Sequence, residues 1–151
     1  MPEFRFLHLE RRRVDQALPE LLDRALGRGQ RVVVQAASPE EVEAINERLW
    51  TYAEDGFLPH GSKRDGDSEE QPIYLTDEAD NPNGATVRVL LSGVEASSFA
   101  GAAYERVFLM FDGRDEEAVA RARREWTKVK AAGEAMSYWK EGDDGGWVKA
   151  R

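Results

Sequence analysis

The sequence predicts an α/β fold: a single domain over residues 1–151, with a mixed, largely parallel sheet covered by helices on both faces. Three observations point there. Short strand-like runs alternate with stretches of helical periodicity, the order that builds β-α-β units with right-handed crossovers. Residues 31–36, RVVVQA, carry β-branched side chains at successive positions, as a strand buried on both faces does. A chain of 151 residues that is 41% hydrophobic can bury roughly 68–70% of its unfolded surface in one core.

Taken in order, residues 4–9 read as a strand and 15–26 as a helix facing inward through Ala17, Leu18, Leu21, Leu22 and Ala25. Pro19 lies early enough to be accommodated near the first turn, and Gly27 and Gly29 end the helix before the strand at 31–36. Ser38-Pro39-Glu40-Glu41 is a helix start, with Ser38 as cap, Pro39 at the first helical position and Glu41 reaching back, and the helix runs to about Trp50. Residues 53–71 form a long polar loop interrupted by Phe57-Leu58-Pro59. Strands at 72–76 and 85–91 are expected to pair as a hairpin through the Asn-Gly turn of residues 80–84. A short helix at 97–103, a strand at 106–111, a basic helix at 116–133 and a loosely ordered tail at 140–151 complete the chain. The layering resembles a nucleotide-binding fold without its phosphate loop: the first turn is Glu10-Arg-Arg-Arg-Val14, with no G-x-G-x-x-G.

A net charge of −8 argues against a protein that coats nucleic acid, leaving room only for a local basic patch. The absence of cysteine excludes disulfides, thiolate metal sites and a thiol nucleophile. The opening residues have no apolar core of a leader, and no run approaches the roughly 20 apolar residues of a membrane helix, so a cytoplasmic protein is expected.

Candidate chemistry is sparse. His8 and His60 are the only histidines and neither has a metal-ligand spacing. Asp112, Asp115 and His60 allow a metal-dependent hydrolase as an alternative, against the plainer reading that Asp115 caps the basic helix while Glu116 and Glu117 complement its dipole. No G-x-S-x-G elbow is present. Arg11-Arg-Arg13 suits either a phosphate or an ordinary charged loop. Trp50 is expected to be half-buried, and Trp139 and Trp147 flank a glycine-rich acidic segment.

The basic helix carries the most information. Ala118, Ala122, Val129 and Ala132 fall on one apolar stripe, and Val119, Arg123, Trp126 and Lys130 form a second along its edge. An indole between two cations suits a ligand that is negative along its length and apolar at its end, such as an acidic peptide tail. On spacing alone, a solvated helix with a core tryptophan ranks first.

Read in order, ALPELLDRAL, RVVVQAAS, RLW, GFLPHG, QPIYLT, NPNGA, YERVFLMFDG, ARREWTKVKAAG, YWKE and GGW resemble the chi subunit family of bacterial DNA polymerase III over nearly the whole chain. Each segment is short, but FLPHG at 57–61, QPIYLT at 71–76 and the tryptophan helix occur in the family's order and spacing. The resemblance implies an accessory subunit of the replicase with no catalytic residue, cofactor or metal. It implies as partners the acidic C-terminal tail of single-stranded-DNA-binding protein, which ends in an apolar residue and a free carboxylate, and the psi subunit, which bridges chi to the clamp loader. DNA is then met only indirectly. Carried over by position, the tail site falls on Arg123, Trp126 and Lys130, with Phe57 and Phe111 as apolar walls. Arg123 would hold a carboxylate, Trp126 and Phe57 would sandwich the terminal side chain, and Lys130 would attract the acidic run. A direct single-strand binder using aromatic stacking is the remaining alternative.

Overall fold

The computed structural model describes residues 2–51 and 58–151. Along the chain lie β1 (Glu3–Leu9), α1 (Val14–Gly27), β2 (Val32–Gln35), α2 (Pro39–Thr51), β3 (His60–Ser62), β4 (Ile73–Thr76), β5 (Val87–Leu91), β6 (Arg106–Asp112), α3 (Glu116–Ala131), β7 (Ala135–Glu141) and β8 (Trp147–Lys149). Among the described residues they build one α/β domain on an eight-stranded sheet in the order β3, β4, β2, β5, β6, β1, β7, β8. Every pairing is parallel except that of β7 with β8.

Strand alternation sorts side chains between two cores. On one face Leu7, Leu9, Val32, Val34, Phe108 and Met110 pack beneath α1 and α2. On the other, Phe4, Phe6, Val107, Leu109 and Phe111 pack beneath α3. The same alternation aims Tyr138 at the α3 face and Trp139 at the α1 face.

Several local expectations are corrected. The strands at 72–76 and 85–91 do not form a hairpin: β2 lies between β4 and β5 and pairs in parallel with both. All four residues of β4 and all five of β5 are buried, so each is a central strand needing neighbours on both sides. The Asn-rich segment makes the crossover instead: Asn83 Nδ2 donates to the carbonyls of Val32 at 3.2 Å and Gln71 at 2.8 Å, tying the connection across β2. The long polar loop contains β3, a three-residue edge strand without β-branched side chains to announce it. The short helix is a 3-10 turn, Ala96–Phe99. The tail at 140–151, expected to be loose, contributes the end of β7 and all of β8, which pair as an antiparallel hairpin.

Pro19 is the sixth residue of α1, beyond the first turn. Its ring leaves the Asp15 carbonyl without a helical donor, and Arg48 Nε of α2 donates there at 3.1 Å. Ser38 Oγ accepts from the Glu41 N–H at 3.3 Å, but the Glu41 carboxylate accepts from Ala37 N at 3.4 Å, one residue before the expected position. Trp50 is 57% exposed instead of half-buried. On α3 the buried stripe is Ala118, Ala122, Glu125 and Val129; Ala132 is the exposed cap residue, and Gly133 at φ 77° turns the chain out of the helix. Glu125 is buried because Ser97 N and Oγ both donate to it at 2.9 Å, which fixes α3 to the 3-10 turn.

Candidate functional site

A groove of about 380 Å³ opens between the middle of α3 and the β7–β8 hairpin. Arg123, Trp126 and Thr127 come from α3, His8 from β1, Tyr138 and Lys140 from β7, and Arg151 from beyond β8. Period-2 alternation accounts for the sheet side: His8 follows Phe4 and Phe6 on the α3 face, and Lys140 follows Tyr138. On α3, Arg123 and Trp126 are one turn apart.

The floor is aromatic. Trp126 is half-buried and packs edge to face on Phe6, with ring centres 5.2 Å apart, and on Tyr138 at 5.7 Å. Tyr138 shares a 2.6 Å hydrogen bond with His8 Nδ1. Burial lowers the pKa of His8, and the nearby Lys140 charge lowers it further, with Glu10 opposing. His8 is therefore neutral at neutral pH. Burial raises the Tyr138 hydroxyl, so it stays protonated. Gly113 is required beside them, because a Cβ there would collide with the His8 ring and the Leu9 carbonyl.

The rim is positive. Among the described residues Arg123, Lys140 and Arg151 make no ion pair, although the chain carries 29 acidic side chains. The arginine triplet is spent differently: Arg11 pairs with Asp143, Arg12 with Glu20 and Glu141, and Arg13 with Asp15. Glu141 accepts the N–H groups of Glu10, Arg11 and Arg12 as well as Arg12 Nε. Its burial would raise the carboxyl pKa, but the Arg12 side chain and those three amides outweigh this and lower it to about 2. Arg12 and the three amides thus fix the first turn against β7, while Arg11 and Arg13 make exposed surface pairs.

Arg123 and Trp126 therefore meet in one groove. Lys130 is exposed a turn further along α3 and does not line it. Phe111 is 1% exposed and lies beneath, edge to face with His8 at 5.2 Å and Tyr138 at 6.2 Å. Phe57 falls outside the described residues. His8, Tyr138, Lys140 and Arg151 complete the groove without a motif in the sequence; the alternation of β1 and β7 groups the first three by face, whereas Arg151 lies beyond β8 and has no such signal.

The hydrolase set does not assemble. His60 lies on β3 and Asp112 ends β6, four strand spacings away, roughly 19 Å across the sheet. Asp112 is engaged by Arg114, and Asp115 caps α3 through Glu117 N at 3.0 Å. His60 Nδ1 is 2.5 Å from the Leu58 carbonyl. Among the described residues no group of three or more His, Asp or Glu side chains is placed to hold a metal ion, and no helix is long and apolar enough to cross a membrane.

Sheet, helices and groove define a layered α/β protein with an aromatic-floored, basic-rimmed groove and, at its first turn, no phosphate-binding glycines. The sequence model of the family described as "DNA polymerase III chi subunit, HolC" matches residues 1–137, and the chain belongs to that family, whose proteins take part in DNA replication. A protein from Rickettsia prowazekii (strain Madrid E) described as "Probable DNA polymerase III subunit chi" is 36% identical over 92 residues, which is 61% of this chain and 56% of that relative. The chain thus spans little more than half the length of the relative it matches.

Proposed function

We propose that the protein is an accessory subunit of the DNA polymerase III complex that binds the acidic C-terminal tail of single-stranded-DNA-binding protein and links it to the clamp loader. The observation carrying this is the meeting of Arg123, Lys140 and Arg151, none of them ion-paired among the described residues, around the half-buried Trp126. Arg123 holds the terminal carboxylate through its paired N–H donors. The last apolar side chain sits on Trp126 and Tyr138, whose rings meet edge to face at 5.7 Å. Lys140 and Arg151 face the acidic run, with Lys130 extending the positive field along α3. The role is adhesive and needs no catalytic residue. The psi subunit is the family's implied bridge to the clamp loader.

The test is fluorescence anisotropy with a labelled C-terminal peptide of single-stranded-DNA-binding protein at moderate salt. Arg123→Ala should weaken binding by about 1–3 kcal/mol, or roughly 5- to 150-fold. A folded Arg123→Ala protein that binds the peptide like wild type would remove the groove as the tail site.

A further inference from the structure

A second groove lies on the opposite face of the sheet, between α1 and the β7–β8 hairpin, and the tail-binding proposal makes no use of it. Its volume is about 200 Å³. Its floor is apolar, its outer wall is formed by Trp139 and Trp147, and its rim carries Arg5, Arg24, Arg28 and Arg106 against one lining carboxylate, Glu20. Four guanidiniums against one carboxylate make this lining strongly positive in an acidic chain.

Those guanidiniums are incompletely neutralised. Arg24 reaches Glu20 at 3.1 Å, but the other oxygen of that carboxylate is held by Arg12 at 2.5 Å. Arg106 Nε is buried without a hydrogen-bond partner, and its nearest carboxylate, Glu3, is 3.8 Å away and shared with Arg5. Arg28 makes no ion pair among the described residues. The site is thus short of acceptors, which a bound oxyanion would supply. Beside it, Arg5 lies over the Trp139 ring, 5.4 Å from its centre, a cation–π contact within the wall.

We propose that this groove binds single-stranded DNA directly, one base entering the slot beside Trp147 while the flanking phosphates lie on Arg24, Arg28 and Arg106. A slot of about 200 Å³ accepts one planar base and is too small for an amphipathic helix. Indoles interleaved with arginines are the surface on which successive bases stack and phosphates pair without sequence preference. The overall charge of −8 disfavours a strand on the acidic remainder of the surface, so binding depends on the local arginines and fades steeply with salt. The tail site lies on the other face of the sheet, so the two grooves can be tested independently.

The experiment is anisotropy of fluorescein-labelled oligo(dT) with the full chain, titrated at several salt concentrations from low upward. Wild type should bind saturably at low salt. The double variant Arg24→Ala/Arg28→Ala, at two exposed positions, should bind about tenfold more weakly, with the logarithmic salt slope reduced by about 0.7 for each phosphate that is no longer neutralised. Trp147→Ala, its fold checked by circular dichroism, should weaken binding comparably. Arg123→Ala should leave oligo(dT) binding unchanged. No binding at low salt, equal binding by the double variant, or an equal loss in Arg123→Ala would overturn the proposal. A poly-glutamate peptide that binds more tightly than oligo(dT) at the same salt, with the same dependence on Arg24 and Arg28, would assign the groove to acidic peptides and overturn it too.

Discussion

Glu141 anchors the arginine turn after β1 against β7, and its protonation should weaken the fold in acid. The carboxylate has only 1% of its side chain exposed and receives Arg12 Nε at 2.5 Å together with three backbone amides at 2.7 to 3.1 Å. Its pKa is lowered from 4.5 to about 2. Because the folded pKa lies below the unfolded one, the unfolded chain takes up this proton first as pH falls. The stabilisation is complete above about pH 5 and is lost progressively as pH drops toward 2. At about 1.4 kcal/mol per unit, the difference corresponds to roughly 3 kcal/mol at neutral pH. In Glu141→Gln the amide cannot repeat this, since its NH₂ is a donor facing donors. Urea denaturation of wild type and variant at pH 7, 5, 4 and 3 should show a gap of roughly 3 kcal/mol that narrows as pH falls. A gap that stays constant with pH, or is absent at pH 7, would refute the account of Glu141 as the ionised anchor of the arginine turn.

Three further outcomes are expected. Trp126→Ala should weaken tail-peptide binding as Arg123→Ala does, and should also lower stability by several kcal/mol because the indole packs on Phe6 and Tyr138; Lys130→Ala should cost less affinity than either, as read by anisotropy and thermal melting. Ser38→Ala should destabilise the fold by about 1 kcal/mol and leave peptide affinity unchanged; an unaltered melting curve would show that the 3.3 Å bond to Glu41 N contributes nothing. Gly113→Ala should displace the His8 ring and cost about 1–3 kcal/mol or more, visible as a lower melting temperature with a shifted His8 titration in NMR.

The alternation of elements, the two-face burial of residues 32–34, the Asp115 cap and the phase of Arg123 with Trp126 are legible along the chain, because each depends on neighbours within a few residues. Non-local properties were settled only by folding. Strand order is one: the Asn-Gly segment before β5 fits a hairpin turn, yet inserting β2 satisfies the backbone of two fully buried strands, which a local turn cannot do. The fate of charge is another. Arg11, Arg12 and Arg13 resemble a free basic patch until carboxylates from residues 15, 20, 141 and 143 neutralise them, whereas Arg123 stays without an ion pair among the described residues. His8, Tyr138 and Lys140 become groove residues only when β7 adds beside β1, 130 residues away in sequence between His8 and Tyr138, because a strand's alternation fixes two faces but pairing alone fixes which face meets α3.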